Sequence, residues 1–100
     1  MTRAKKITQA DIAEADSLDW KAQPKDFDRL CDFVISLFSE RDGVTRERLF
    51  AVLPEPEFRR EVRASAERRQ DRGSLLGAYA YIRIKFIALS DALRRKQQNP

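Results

Sequence analysis

A chain of 100 residues that is 42% hydrophobic and 36% charged is typical of one compact domain, which excludes both a disordered and a membrane-embedded protein. The net charge of +4 arises at the two ends, which carry +6 and leave −2 for the remainder. The end cations are Arg3, Lys5, Lys6, Arg94, Arg95 and Lys96. We expect both ends to be solvated, with phosphate contact as the alternative.

The predicted organisation is a basic arm over 1–7, a single helical domain over 8–96 and a polar tail over 97–100. The one cysteine, Cys31, cannot form an internal disulfide, which predicts a reducing, cytoplasmic location. No apolar stretch follows the basic N-terminus, so we expect no secretory signal. The apolar runs are too short to span a bilayer, so no membrane association is expected.

The first predicted helix spans residues 9–16 and starts with a capping box formed by Thr8 and Asp11. In the connector that follows, we expect Trp20 to anchor the N-terminal arm on the core, with ligand stacking as the alternative. The second helix starts after Pro24 and ends before Gly43, which is suited to a left-handed cap. Its predicted apolar face consists of Phe27, Leu30, Cys31, Val34, Leu37 and Phe38.

Two helices follow in the middle of the chain. The third is predicted from Arg46 to Leu53, with Thr45 as its N-cap. The fourth is predicted from about residue 57 to 72, with Pro56 at its first position. Its apolar stripe is thin, so most of this helix should be exposed.

The fifth predicted helix begins after Ser74. A seam with spacings of four and three residues runs along it through Leu75, Tyr79, Ile82, Phe86, Leu89 and Leu93. Residues 79–86 also alternate between apolar and other side chains, as a strand would. We prefer a helix because the seam persists over nineteen residues, far longer than a typical strand.

A second apolar strip lies on the opposite side of the fifth helix. Its members are Leu76, Ala80, Ile84 and Ile87. A helix that is apolar on two sides is either central in its own domain or shared between subunits. We favour a homodimer or a stable complex with another protein. A chain that remains a lone monomer in solution, with this strip exposed to water, would refute that expectation.

The fourth helix is rich in arginine. Arg59, Arg60 and Arg63 fall on one side, Arg68, Arg69 and Arg72 fall roughly opposite, and acidic residues are interleaved. A mixed solvated surface explains this pattern. The alternative is a charged contact helix, in which Arg59, Arg60, Arg63, Arg68 and Arg69 provide specificity toward a partner.

The sequence lacks the usual chemistry of enzymes and of cofactor binding. It contains no histidine, which excludes histidine bases, triads and metal sites. Its three glycines are too scattered for a phosphate loop. Cys31 lies in an apolar stripe and is predicted to be a core residue, and Asp26, Asp28 and Asp32 are predicted to be a solvated face rather than a magnesium site. We therefore expect no catalysis and no cofactor.

The segment that joins the second and third predicted helices, around Gly43, carries a further pattern. Phe38, Val44, Leu49 and Val52 have the spacing of packing residues, and Ser39 is small. Over residues 35–54 the chain resembles the helix-turn-helix motif of DNA-binding regulators. Two residues depart from that motif, because Asp42 replaces a usually apolar residue and Phe50 replaces a usually exposed polar one.

This resemblance implies a recognition helix that starts at Thr45. The implied base contacts come from Thr45, Arg46 and Glu47, with the two basic ends of the chain on phosphates. The candidate nucleic-acid-binding residues are Arg3, Lys5, Lys6, Thr45, Arg46 and Arg48. The sequence as a whole predicts an all-α, compact bundle of about five helices with a long, largely apolar C-terminal helix. Its predicted function is non-catalytic protein interaction, as a dimeric adaptor or a small stoichiometric inhibitor or regulator of a larger assembly. The alternative is helix-turn-helix DNA binding.

Overall fold

A computed structural model describes residues 7–18, 23–68 and 75–98. These segments form five α-helices and, within the described residues, no strand. In chain order the helices are α1 (Gln9–Asp16), α2 (Pro24–Asp42), α3 (Arg46–Val52), α4 (Glu55–Arg68) and α5 (Leu75–Gln98). The predicted all-α bundle with a long C-terminal helix is thereby confirmed.

Local signals set most of the helix ends. The Thr8 hydroxyl accepts a hydrogen bond from the Asp11 backbone, and the Asp11 carboxylate accepts one from the Thr8 backbone, which completes the predicted capping box. Gly43 ends α2 in the left-handed region with φ at 64°. The Thr45 hydroxyl caps α3 by accepting from the backbone N–H of Arg48 at 3.1 Å.

The core lies where one face of α5 meets the other four helices, all of which contact it. All six predicted apolar residues of α2 are buried. On α5 the buried residues of the seam are Leu75, Tyr79, Ile82 and Phe86. The ring of Phe38 packs edge-on against both Tyr79 and Phe86, with centroid separations of 5.2 and 5.5 Å. This aromatic cluster joins the C-terminal half of α2 to α5.

Three details differ from the sequence prediction. Helix α4 begins at Glu55 rather than near residue 57, because the Phe58 N–H already bonds the Pro54 carbonyl at 2.8 Å. Helix α3 ends at Val52, one residue early. The seam of α5 does not stay buried, since Leu89 and Leu93 are 40% and 44% exposed. The C-terminal part of α5 therefore extends beyond the core that covers its first half.

Candidate interaction surfaces

The outward side of α5 carries the apolar strip that the sequence singles out, which we call the outer strip (Leu76, Ala80, Ile84 and Ile87). At about 100° per residue these four positions fall within about 80° of arc. All four are exposed, and Ile84 is the most open at 69%, against 36% for Leu76 and 41% for Ile87. Within the described residues the other helices cover only one side of α5, so the alternative in which α5 is buried on both sides is wrong for this part of the chain.

The second surface is a groove near the C-terminal end of α5. It has a volume of about 350 Å³, and α3 contributes Arg48, Ala51 and Val52 to its lining. From α5 it is lined by Leu93 and Arg94 among others. Leu93 therefore faces the α3 side of the molecule, whereas the outer strip faces away from the bundle. The two exposed apolar regions of α5 are distinct.

A third surface is a groove between the starts of α2 and α4, which we call the arginine groove. Its volume is about 450 Å³, and its lining residues are Pro24, Phe27, Asp28, Pro56, Arg59, Arg60 and Arg63. The guanidinium carbons of Arg59 and Arg63 lie 5.0 and 4.4 Å from the centroid of the Phe27 ring. Both distances are within the range of a cation–π contact. The three arginines predicted to share a face of α4 therefore line one concave site.

The arginine groove contains one ion pair. Arg59 forms it with Asp28, and this hydrogen bond raises the pKa of the arginine. The lining as a whole holds three guanidinium groups and one carboxylate. Arg60 is exposed, and it pairs with no carboxylate in the part of the chain that the structure describes.

A polar cluster that the sequence did not predict joins the end of α2 to α5. The Asp42 carboxylate accepts hydrogen bonds from the Tyr79 hydroxyl and from Arg83 Nε, the latter at 3.0 Å. Burial, with the hydrogen bond to Asp42, raises the pKa of Tyr79 to about 12. Two signals could have indicated this cluster: a carboxylate where a helix-turn-helix has an apolar residue, and a seam tyrosine whose hydroxyl needs a partner.

The first turn of α3 carries the residues that the helix-turn-helix resemblance assigned to DNA. Thr45, Arg46 and Arg48 are all exposed. The hydroxyl of Thr45 is engaged in the helix cap. The guanidinium of Arg46 lies 5.1 Å from the centroid of the Phe50 ring and 3.9 Å from Glu55. Helix α3 has seven residues, or about 10 Å of length at about 1.5 Å per residue.

Phe50, the second departure from the helix-turn-helix pattern, belongs to the packing of this domain. It is partly buried, and its ring lies edge-on to that of Phe58 at a centroid distance of 5.5 Å. It is therefore held against α4 instead of projecting from α3 toward a base. Phe38, Val44 and Leu49 are buried, as the resemblance requires, and Val52 is partly buried.

Several predicted contacts lie outside the described residues. They are Arg3, Lys5, Lys6, Trp20, Arg69, Arg72 and the side chain of Arg68. The residues that the structure does describe include no cluster of three metal-ligating side chains. Burial raises the pKa of the Cys31 thiol to about 11, which opposes formation of the reactive thiolate. None of the described helices is both long and apolar enough to cross a bilayer.

The chain was compared with family models, curated proteins and solved structures, and none of them matches it.

Proposed function

We propose that this is a non-catalytic interaction protein that self-associates through the outer strip of α5. One observation carries the proposal: Leu76, Ala80, Ile84 and Ile87 form a continuous apolar strip that the rest of the described chain leaves exposed. Aliphatic side chains aligned along one helix face are characteristic of helix–helix contacts. The homodimer and adaptor interpretation of the sequence rests on this strip.

A second copy of the chain suits the strip because the strip is complementary to itself. A two-fold interface requires the same surface patch on both subunits. If two copies of α5 pair antiparallel about a point between Ala80 and Ile84, the small Ala80 of one copy faces the large Ile84 of the other. Leu76 then faces the neighbourhood of Ile87. Antiparallel helices also place their dipoles in a favourable arrangement.

The size of the strip sets the expected affinity. From residue 76 to residue 87 the strip is about 16 Å long at about 1.5 Å per residue, whereas stable interfaces bury about 800 Å² per partner. An interface of that size would also have to include flanking exposed residues of α5, such as Ala88 and Ala92. We therefore expect a dimer that dissociates on dilution.

Sedimentation velocity over a series of protein concentrations tests the proposal. We expect the mass to rise from one chain of 11.6 kDa toward two chains as concentration increases. A mass of one chain at every concentration would refute self-association. It would leave the strip without the partner proposed for it.

Cysteine cross-linking tests the antiparallel arrangement separately. We expect Ala80→Cys and Ile84→Cys proteins to form a disulfide-linked dimer efficiently when they are mixed, and poorly when each is oxidised alone. A parallel arrangement would instead link Ile84→Cys to itself. The natural Cys31 is buried, and Cys31→Ala versions of both proteins exclude any contribution from it.

Helix-turn-helix DNA binding is the second candidate function. It is favoured by the left-handed Gly43 turn between α2 and α3 and by burial of Phe38, Val44 and Leu49 at the positions where that motif packs. Titration of random duplex DNA at low salt tests it, since phosphate contacts should give binding that weakens as salt is added. Absence of binding at low salt would eliminate this candidate.

A further inference from the structure

We infer that the groove between α3 and the C-terminal end of α5 binds an amphipathic helix of a partner protein, one whose aliphatic side chains are flanked by carboxylates. We call this site the C-terminal groove. Helix α3 contributes Arg48, Ala51 and Val52 to it, and α5 contributes Ser90, Leu93 and Arg94 among others. The inference goes beyond self-association, because at about 100° per residue Leu93 lies about 180° around α5 from Ile84 of the outer strip.

The shape of the C-terminal groove fits a helix. Residues 48, 51 and 52 share one face of α3, and residues 90, 93, 94 and 97 share one face of α5, since both sets follow helical spacing. The α5 wall is about 10 Å long at about 1.5 Å per residue, which matches two turns of a third helix. The groove volume of about 350 Å³ is within the range of roughly 300–1,000 Å³ that ligand sites occupy. Grooves of this kind are a recurring binding site for amphipathic helices.

Aliphatic surface in the C-terminal groove is open to such a helix. Leu93 is nearly half exposed, Ala51 is exposed and Val52 is partly buried. Among the described residues of α5, the last buried one is Phe86, so the core ends before the groove begins. A partner helix that placed an aliphatic side chain against Leu93 would remove this surface from water, which is favourable.

The charges of the C-terminal groove favour an acidic partner. Arg48 belongs to the α3 wall and Arg94 to the α5 wall, and the described lining includes no carboxylate. Arg48 is exposed, and its guanidinium has no ion-pair partner in the segments that the structure describes. Arg94 pairs with Asp91 at 3.4 Å in an exposed contact, and a pair of this kind is weak enough to be exchanged for a partner's carboxylate. Carboxylates on both flanks of a bound helix would therefore meet a guanidinium on each wall.

The combination of charge and aliphatic surface favours a protein ligand over a nucleic acid. A phosphate backbone would contact Arg48 and Arg94, yet it has no aliphatic group to cover Leu93. An amphipathic helix satisfies both features at once, with aliphatic side chains along its centre line and carboxylates on either side.

Fluorescence anisotropy with the full chain tests the inference. The probe is a fluorescein-labelled peptide of about eighteen residues, long enough to form a helix, with a stripe of leucines flanked by glutamates. One control peptide has glutamine at every glutamate, and a second has alanine at every leucine. We expect each control to bind at least about tenfold more weakly than the probe. No binding of the probe, or binding equal to that of either control, would overturn the inference.

Matched variants locate the binding. We expect Arg48→Gln combined with Arg94→Gln to weaken probe binding at least about tenfold. Arg95→Gln combined with Lys96→Gln removes the same charge outside the lining, and should change the affinity less than about threefold. Leu93→Ala should weaken binding roughly three- to tenfold, because the exposed part of this side chain is what the partner would cover. Unchanged affinity in Leu93→Ala, or equal weakening in the two charge variants, would refute the site.

Two comparisons separate this inference from the two proposed functions. Ile84→Glu should bind the probe as the natural chain does, and Leu93→Ala should still dimerise, so failure of the dimer proposal and failure of the groove proposal give different results. Loss of probe binding in Ile84→Glu alone would assign the peptide to the outer strip and overturn the groove. Random duplex DNA should bind more weakly than the probe at equal salt. Tighter DNA binding that Arg48→Gln with Arg94→Gln removes would overturn the assignment to a protein partner.

Discussion

The substitution Ile84→Glu places a charge in the most exposed part of the outer strip. Complete burial of an isoleucine side chain is worth roughly 1.5–3 kcal/mol. Since Ile84 is 69% exposed in the single chain, a partner could add about two thirds of that, or ~1–2 kcal/mol per copy and ~2–4 kcal/mol for both copies of a symmetric dimer. At about 1.4 kcal/mol per factor of ten, the dimer Kd should rise roughly 30- to 700-fold, and repulsion between the introduced carboxylates would add to this.

The fold should tolerate the same change. Ile84 contributes little to the core, and glutamate has a helix propensity at least as good as that of isoleucine. Sedimentation velocity should therefore show a monomer where the natural chain is a dimer, with unchanged helix content by circular dichroism. Leu93→Glu is the matched control, because it adds the same charge to an exposed leucine of α5 (44% exposed) outside the outer strip. Equal dimerisation of Ile84→Glu and the natural chain would show that the outer strip is not the interface.

Three further changes test the packing. Phe86→Ala should lower the free energy of unfolding by ~3–5 kcal/mol, measured by denaturant titration, because it truncates a buried aromatic core residue. A loss of about 0.5 kcal/mol or less, which is the range of a surface change, would contradict this. Gly43→Ala should cost about 1 kcal/mol, because φ is 64° there while the space around a new Cβ is open; an unchanged midpoint would argue against a left-handed turn. Tyr79 should ionise at a pH of about 12 when followed by phenolate absorbance. Its folded pKa lies above the unfolded value of about 10. The stability that the Tyr79 hydroxyl contributes through Asp42 is therefore present below about pH 10 and is lost as the pH rises through about 12. Tyr79→Phe should abolish this part of the pH dependence of stability.

Local patterns in the sequence predicted the helices well, because caps and periodicity depend on near neighbours. The Thr8 capping box, the Gly43 turn and the complete apolar face of α2 are where they were expected. The prediction failed at Leu89 and Leu93, which continue the seam of α5 but are exposed. Periodicity identifies which side of a helix is apolar. It does not tell how far the neighbouring helices extend to cover that side.

The candidate surfaces were predictable only in part. The outer strip is a property of a single helix, so its members could be recognised together from their spacing. The arginine groove depends on Phe27 and Asp28 of α2 meeting Arg59 of α4, about thirty residues further along the chain. No local pattern contains that contact, so the sequence assigned the arginines to a face without locating the ring beneath them. The groove emerges only from the tertiary arrangement.

Asp42 connects the fold to the choice between the two proposed functions. Tyr79 faces the core from α5, and Arg83, one turn further along, stands at the border between the buried side of that helix and the outer strip. Because the carboxylate of Asp42 bonds both of them, it stabilises the rotation of α5 that keeps Ile84 outward. The residue that departs most clearly from the helix-turn-helix pattern therefore has a structural role within this domain. By holding α5 with the outer strip exposed, this role favours the proposed self-association over the reading of DNA by a seven-residue α3.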